Sequence, residues 1–209
     1  MKFVVTGALG HIGSLLIRKL HLWYPNSQVV IIDNFSAERY CSLFNLPKQS
    51  KNNFIRGNVC ELDLNKIFKD STAVFHLAAI TNAEASVNNA KQVEENNFLA
   101  TKKVALASLE ESIPMIYVSS TSVYGTSSNI VDENCSRDDL KPQSPYAETK
   151  LIEENLLKTL ACNEDLKMII LRFGTIYGTS PGMRFHTAVN KFCFQFSICD
   201  ALTVWRTAY

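Results

Sequence analysis

The stretch VVTGALGHIGS, residues 4–14, places three glycines three residues apart, at Gly7, Gly10 and Gly13. An apolar, β-branched run precedes them and a helix-like run follows, so the stretch predicts a turn between a first strand and a first helix. Glycine normally destabilises regular structure, so three of them in one turn require a reason. The backbone N–H groups at a helix N-terminus suit a phosphate group, which side chains would keep away.

Each glycine has its own expected task in a turn of this kind. Gly7 permits the tight turn, Gly10 the close approach of a pyrophosphate, and Gly13 close packing of the helix on the strand. Asp33 ends the next predicted strand, 20 residues after Gly13, where a carboxylate accepts hydrogen bonds from an adenosine ribose. That carboxylate would repel a 2′-phosphate, so NAD is favoured over NADP, although Arg39 follows six residues later. A glycine-rich turn with a capping aspartate and no ligand is the alternative.

Strand-like and helix-like patterns alternate along the rest of the chain. This alternation predicts an α/β fold, a Rossmann-type doubly wound parallel sheet of about six strands with helices on both faces. The predicted strands are residues 2–7, 28–34, 53–58, 72–80, 114–121 and 167–174. The predicted helices are residues 11–25, 37–46, 61–70, 93–112, 144–163 and 183–198, and a further strand-like run covers 202–206.

The bulk composition narrows the function classes. The formal net charge is +1, and no basic block with interleaved aromatic residues occurs, so no nucleic-acid partner is predicted. The chain shows neither a signal-peptide pattern nor a membrane-length apolar run, which predicts a cytoplasmic protein without a membrane partner. Its six cysteines form no C-x-x-C pattern and its four histidines are scattered, so free thiols and no metal site are expected.

A second motif, SPYAETK, places Tyr146 and Lys150 one helical turn apart on one face of a predicted helix. A free tyrosine has a pKa of about 10, and a nearby ammonium group favours the phenolate, so such a pair can move a proton to or from a substrate hydroxyl. Ser120 ends the preceding strand at the sheet edge where ligands of this architecture bind. Alone, the Tyr–Lys spacing is common by chance and describes an exposed tyrosine beside a surface lysine. However, the pair follows the glycine turn, Asp33 and Ser120 in the order that a single active site requires, which favours a catalytic pair over a chance spacing.

With these residues in place, the chain resembles the extended short-chain dehydrogenase/reductase superfamily, in its NAD-dependent epimerase/dehydratase branch that acts on nucleotide sugars. The matching pieces follow the family order from residue 4 to residue 178. They are TGALGHIG, DN at 33–34, GNV at 57–59, HLAA at 76–79, NFLAT at 97–101, SSTSVYG at 119–125, PYAETK at 145–150 and LRFGTIYG at 171–178.

The resemblance implies roles for individual positions. Ser120, Tyr146 and Lys150 match the catalytic trio, with Tyr146 as acid/base and Lys150 also holding the nicotinamide ribose. The implied cofactor-binding residues are Gly7, Gly10, His11, Ile12, Gly13, Asp33, Asn34, Asn58, Val59, Leu77, Ala78, Ala79, Asn97, Tyr146 and Lys150, and the implied substrate-binding residues are Thr81, Thr121, Ser122 and Thr175.

Several positions depart from the family pattern. Asn58 stands where Asp is frequent, so its adenine contact would be neutral. Thr121 and Ser122 replace the Asp-Glu pair that sugar 4,6-dehydratases carry after the catalytic Ser/Thr, which disfavours elimination of water. Thr175 replaces an asparagine near the substrate phosphates.

The resemblance also implies a domain division and an oligomeric state. Residues 1–178 would form the NAD-binding domain with the catalytic trio, and residues 179–209 the start of an incomplete C-terminal substrate lobe, which is expected either in a partial sequence or in a short natural variant. The helices around 91–112 and 146–162 would pair across a homodimer, and packing on their own sheet is the alternative.

Three functions remain open at this stage. The first is an NAD-dependent nucleotide-sugar epimerase, which oxidises a sugar hydroxyl transiently and returns the hydride to the opposite face. The second is a dehydrogenase or reductase of another hydroxyl or carbonyl substrate, and the third is a non-catalytic NAD-binding regulatory protein.

Overall fold

The computed structural model describes residues 1–47, 51–80, 90–125, 130–135, 139–185 and 187–202. Its strands are β1 (Lys2–Thr6), β2 (Gln28–Asp33), β3 (Lys51–Arg56), β4 (Ala73–His76), β5 (Met115–Ser120) and β6 (Met168–Phe173). Its helices are α1 (His11–Trp23), α2 (Leu64–Phe68), α3 (Ala90–Glu110), α4 (Pro145–Glu164) and α5 (Ala188–Ser197), with short 3₁₀ helices at Tyr40–Leu43 and Thr121–Tyr124.

The six strands form one parallel sheet in the order β3-β2-β1-β4-β5-β6. The chain moves outward from β1 to β2 and β3, then crosses to the other side of β1 and continues through β4, β5 and β6. The order therefore reverses between β1 and β4, and a crevice opens at the carboxyl ends of these two strands. The predicted doubly wound parallel sheet is confirmed.

Two apolar cores cover the two faces of the sheet. Side chains alternate along each strand, so Phe3 and Val5 pack with Ile17 of α1, whereas Val4 packs with Val104 of α3 on the opposite face. Burial on both faces explains why the central strands read as nearly continuous apolar runs.

The predicted helix at 37–46 is wrong apart from the short 3₁₀ helix at Tyr40–Leu43. Glu38 and Asn45 have left-handed backbone, with φ of 51° and 54°. A right-handed helix cannot pass through a left-handed residue, so the helical turn is confined between these two positions.

Other boundaries shift by a few residues. The third strand begins at Lys51 rather than 53, and the fourth ends at His76 rather than 80. Asp63 caps α2 by accepting a hydrogen bond from the Lys66 N–H, so that helix starts later than predicted. Most of the strand-like run at 202–206 lies outside the described residues. Within the described ranges, none of the helices is both long enough and apolar enough to cross a membrane.

Helices α3 and α4 pack against each other within the chain. Val104 is fully buried in the core, which matches packing on the chain's own sheet. Leu99, Leu106 and Ile152 of the same two helices are exposed. The homodimer stays a prediction.

The glycine turn touches the end of β4 backbone to backbone. Gly7 has φ of 64°, and a Cβ there would lie 2.6 Å from the Ala78 nitrogen. A Cβ on Gly13 would lie 2.7 Å from the Ala8 Cα, where α1 passes the turn. Both distances are too short for real carbon contacts, so the turn keeps this geometry only with glycine at the two positions.

Gly13→Ala tests this packing because two effects oppose each other. Helix propensity alone would favour alanine by about 1 kcal/mol, whereas the clash is with backbone atoms that cannot rotate away. We expect the clash to dominate and the free energy of unfolding to fall by about 2 kcal/mol or more in urea denaturation.

Gly174→Ala is the matched control. Its Cβ would meet only the Thr121 Oγ1, at 3.9 Å, so the free energy of unfolding should change by less than about 0.5 kcal/mol. A Gly13→Ala variant as stable as the wild type would contradict the close approach.

His76 links β1, β4 and α3 through a buried polar contact. Its Nδ1 lies 2.7 Å from the Thr6 Oγ1, and its Nε2 lies 3.2 Å from the Thr101 Oγ1. Complete burial, with a contribution from the charge of Lys150, lowers the pKa of His76 to about 3. The ring is therefore neutral at physiological pH, and the two hydroxyls satisfy both of its nitrogens.

His76→Asn should flatten the pH dependence of stability. The unfolded chain takes up a proton on this histidine as the pH falls through about 6.5, whereas the folded chain does so only near 3, so folding loses stability across that window. Between pH 6 and 5, the free energy of unfolding of the wild type should fall by about 1 kcal/mol more than that of the variant. Equal slopes in urea titrations at the two pH values would show that His76 is not held neutral.

Candidate active site

A cleft at the carboxyl ends of β1 and β4 consists of two adjoining cavities of about 550 and 310 Å³. The larger extends past the ends of β2 and β3, and the smaller lies between the glycine turn and the start of α4. Both are lined by Gly7, Gly10, Leu77, Ala78, Ala79 and Arg184. The cavities are thus two halves of one elongated cleft that crosses the glycine turn.

The larger cavity contains the predicted adenosine-side residues. Its lining includes Asp33, Asn34, Asn58, Val59 and Asn97. Asn97 is 3% exposed, and its amide donates to the Ile80 carbonyl at 3.0 Å and accepts from the Ile80 N–H at 2.8 Å. This two-way contact fixes the chain after β4, which forms one wall of the cavity.

Asp33 has a structural contact in addition to its predicted ligand role. One carboxylate oxygen accepts from the Leu9 N–H at 3.0 Å, and the other accepts from the Phe35 N–H at 2.9 Å. Asp33 therefore ties the glycine turn to the end of β2. Each carboxylate oxygen has a further acceptor position, so the side chain can brace the turn and still face a ribose.

The smaller cavity brings the predicted catalytic trio together. Its lining includes His11, Ile12, Ser120, Tyr146, Lys150 and Thr175. His11 is anchored by a 3.0 Å contact between its Nε2 and the Gly178 carbonyl. Gly13 completes the same edge of the cavity.

The start of α4 sets the positions of Tyr146 and Lys150. The Ser144 hydroxyl caps the helix by accepting from the Ala147 N–H at 3.2 Å, and Pro145 occupies the first turn. One turn apart on the same helix, the Lys150 Nζ lies 5.8 Å from the centre of the Tyr146 ring. The spacing read from the sequence therefore places both groups at one wall of the cavity.

Four other hydroxyl-bearing residues were predicted to bind substrate near Ser120, and the structure places three of them. The Ser120 Oγ accepts from the N–H and the hydroxyl of Ser122, at 3.2 and 2.8 Å, so Ser122 orients Ser120. Thr175 lines the smaller cavity, whereas Thr121 is exposed beside it. Thr81 lies outside the described residues.

Lys150 is held by a buried group that the sequence did not single out. Its Nζ lies 3.0 Å from the Glu153 carboxylate and donates to the Tyr117 hydroxyl at 3.1 Å, while Tyr117 donates to Glu153. Burial and the Glu153 charge raise the pKa of Tyr117 well above its usual range. Tyr117 therefore stays protonated, which leaves Tyr146 as the candidate base of the two tyrosines that Lys150 faces.

A second buried carboxylate anchors α4 to the sheet. Glu154 receives two hydrogen bonds from the Arg172 guanidinium, at 2.9 and 2.6 Å, and one from the Ser119 hydroxyl at 2.6 Å. Burial alone would raise the pKa of Glu154, but the Arg172 and Ser119 hydrogen bonds outweigh it and lower that pKa. This cluster joins α4 to β5 and β6, so it fixes Lys150 and Tyr146 over the carboxyl edge of the sheet.

Sequence reasoning missed Glu153, Glu154, Arg172 and Arg184. The two glutamates carried a usable signal, because Glu153 and Glu154 follow Lys150 by three and four positions and so lie on its helical face. Arg172 sits within a strand, where a charged side chain predicts a buried partner. Arg184 carried no local signal, since only the folded chain brings it to the cleft.

The glycine turn, which lines both cavities, leaves room for the diphosphate of a dinucleotide at Gly10. A Cβ on Gly10 would approach only the Gly7 carbonyl, at 3.2 Å, and the Arg39 Nη1, at 3.8 Å, and would otherwise project into the space between the cavities. A larger side chain would fill the position that a diphosphate needs beside the first turn of α1.

Residues 3–201 match the NAD dependent epimerase/dehydratase family. The chain is 34% identical over 200 residues to an uncharacterized UDP-glucose epimerase of Bacillus subtilis, covering 91% of this chain and 62% of that protein. It is 29% identical over 186 residues to the UDP-glucose 4-epimerase of Mycoplasma pneumoniae, covering 86% of this chain and 54% of the other.

Solved structures of UDP-sugar 4-epimerases are also similar to this chain. The UDP-glucuronic acid 4-epimerase of Bacillus cereus, in complex with UDP-glucuronic acid and NAD, superposes with a TM-score of 0.87 at 32% identity, over 98% of this chain and 66% of the other. The UDP-N-acetylglucosamine 4-epimerase of Methanobrevibacter ruminantium, in complex with UDP-N-acetylmuramic acid, gives 0.86 at 30% identity, over 98% and 65%.

The chain thus spans less than two thirds of the length of these relatives. The resemblance inferred from the motifs agrees with the sheet order, the glycine turn and the sequence match. The family is described as NAD dependent, so NAD is its cofactor. We conclude that this chain belongs to the NAD dependent epimerase/dehydratase family.

Proposed function

We propose that the protein is an NAD-dependent 4-epimerase of a nucleotide sugar. The observation that carries this proposal is the smaller cavity, where Ser120, Tyr146 and Lys150 line one space that opens onto the glycine turn. Relatives of this chain include UDP-sugar 4-epimerases as well as sugar-nucleotide 4,6-dehydratases, and one of the epimerases was crystallised with both NAD and UDP-glucuronic acid. A uridine diphosphate sugar is therefore the proposed substrate class.

The cofactor preference follows from Asp33. Its carboxylate lines the larger cavity at the end of β2, where it would accept hydrogen bonds from an adenosine ribose and repel a 2′-phosphate. Asn34, Asn58 and Val59 would surround the adenine. NAD, when bound, supplies the chemistry of accepting a hydride from the sugar carbon and giving it back.

Tyr146 is the proposed acid/base. Its phenolate takes the proton of the sugar hydroxyl as that carbon is oxidised and becomes a neutral phenol, and it becomes a phenolate again when it returns the proton as the carbon is reduced from the other side. Lys150 presents a positive charge to the phenolate that forms, and Glu153 and Tyr117 hold that charge in place. The Ser120 hydroxyl, oriented by Ser122, positions the reacting oxygen.

The residues after Ser120 favour epimerisation over elimination of water. Thr121 and Ser122 carry hydroxyls, which at neutral pH are weaker acids and bases than a pair of carboxyl groups. With no carboxyl group immediately after the catalytic serine, the site retains one acid/base, Tyr146, and this is sufficient for a proton that leaves and returns.

The proposal divides the chain at residue 178. Residues 1–178 would bind the dinucleotide and carry the acid/base, and residues 179–209 would begin the substrate-binding region. Gly178 supports this boundary, because its carbonyl contacts His11 and its N–H donates to Asn190 of α5 at 2.9 Å.

Tyr146→Phe tests the proposed mechanism. The variant keeps the ring but loses the proton-carrying hydroxyl, so epimerisation should fall at least 100-fold, while the Kd for NAD should stay within about twofold. Each of UDP-glucose, UDP-N-acetylglucosamine and UDP-glucuronic acid is incubated with the protein and NAD, and the 4-epimer is quantified by proton NMR.

Tyr177→Phe serves as the control, because Tyr177 is exposed and does not line the cavity. It should retain wild-type turnover. Wild-type activity in Tyr146→Phe would exclude Tyr146 as the acid/base. Net accumulation of NADH in proportion to substrate would instead identify a dehydrogenase, since an epimerase returns its hydride in each turnover.

A further inference from the structure

A segment that follows β6 is anchored directly on the glycine turn. The Gly182 N–H donates to the Ser14 hydroxyl at 2.9 Å, and a Cβ on Gly182 would collide with the Leu9 carbonyl and lie 2.7 Å from the Gly10 carbonyl. The Cys41 thiol reaches the Pro181 carbonyl at 3.0 Å. This segment therefore lies against the turn, backbone to backbone, at the carbonyl groups of Leu9 and Gly10.

A buried asparagine holds the other end of the segment. Asn190 of α5 is 2% exposed, accepts from the Gly178 N–H at 2.9 Å and donates to the Arg184 carbonyl at 2.8 Å. Its two bonds span the segment from Gly178 to Arg184. The position of the Arg184 backbone is thus set by contacts at both ends.

The segment carries Arg184 to the cleft, where it lies near Arg39. Arg184 lines both cavities, and Arg39 lines the larger one, with its Nη1 3.8 Å from the position of a Cβ on Gly10. Burial and the Arg39 charge lower the pKa of Arg184. Burial also lowers the pKa of His11, against its hydrogen bond to Gly178, and the charges of both arginines add to that effect. Three nitrogen-bearing side chains therefore surround the glycine turn closely enough to influence one another.

We propose that Arg39 and Arg184 form a clamp on the diphosphate of the bound dinucleotide, with one arginine from the loop after β2 and the other from the segment after β6. The inference rests on the proposed NAD-dependent function and adds two cofactor-binding residues to it. Two half-buried guanidinium groups of like charge repel each other, and a diphosphate between them replaces this repulsion with charge-assisted hydrogen bonds. The diphosphate also has the N–H groups at the start of α1 within the same space.

The location of Arg39 favours the diphosphate over a 2′-phosphate. Its guanidinium lies beside Gly10, whereas a 2′-phosphate would have to sit against the Asp33 carboxylate at the end of β2. The clamp is therefore expected to strengthen NAD and NADP alike, and Asp33 to set the preference between them.

Binding of ADP-ribose and of adenosine, measured by calorimetry, separates the clamp from the rest of the cleft. ADP-ribose contains the diphosphate and adenosine does not. Arg39→Gln and Arg184→Gln should each weaken ADP-ribose and NAD about tenfold, the scale of a hydrogen bond to a charged group, and leave adenosine binding unchanged. Unchanged adenosine binding also shows that the variant has folded with an intact cleft.

Two controls test whether the loss of affinity comes from the charges of Arg39 and Arg184. The affinity of the wild type for ADP-ribose should fall more steeply with added NaCl than that of either variant. Lys19→Gln removes one positive charge from an exposed position of α1 that lines neither cavity, and it should bind ADP-ribose as the wild type does. Arg39→Lys keeps the charge and should recover part of the loss.

Two outcomes would overturn the clamp. Arginine variants that bind ADP-ribose as tightly as the wild type would exclude it, and so would an equal loss for adenosine. If the arginine variants lose ADP-ribose affinity as expected but no UDP-sugar is epimerised, the clamp is supported and the proposed reaction is excluded. If the wild type binds neither NAD nor ADP-ribose, both proposals fall.

Discussion

The contact on which the rest of the structure depends is that of the glycine turn with its backbone neighbours. No side chain separates Gly7 from Ala78 at the end of β4, or Gly10 from Gly182 in the segment after β6. The turn is therefore held at a fixed distance from the sheet edge. Because the turn also separates the two cavities, its position determines the shape of the cleft and the separation between Asp33 on one side and Tyr146 on the other.

The half of the cleft that contains Tyr146 and Lys150 is bordered by buried ion pairs. Lys150 pairs with Glu153, and Arg172 pairs with Glu154, so both of these buried α4 carboxylates have a cationic partner. Breaking one member of such a pair leaves a buried charge without compensation. The pairs with Arg172 and Lys150 therefore hold the first half of α4, which carries Tyr146, against a buried environment that each charge needs to stay compensated.

Sequence patterns predicted most of this fold, because strands buried on both faces and helices with one apolar side leave strong periodic signals. They also located the glycine turn, Asp33 and the Ser–Tyr–Lys trio, because each follows the carboxyl end of a strand or begins a helix. The helix predicted at 37–46 failed because left-handed residues are set by local contacts that apolar spacing does not report. The position of Arg184 in the cleft could not be predicted from the sequence, for a different reason. Its place in the cleft depends on the Asn190 and Ser14 contacts, which join segments far apart in the chain.

Whether the glycine turn receives the diphosphate of NAD is decided by calorimetric titration of NAD into the wild type and into Gly10→Val. The Gly10 backbone has φ of −67° and ψ of 178°, dihedral angles that valine also adopts, and a Cβ there would meet only the Gly7 carbonyl, at 3.2 Å, and the Arg39 Nη1, at 3.8 Å. We expect the wild type to bind one NAD per chain and Gly10→Val to lose affinity at least 100-fold with little change in melting temperature. Equal affinity in the two proteins would contradict it.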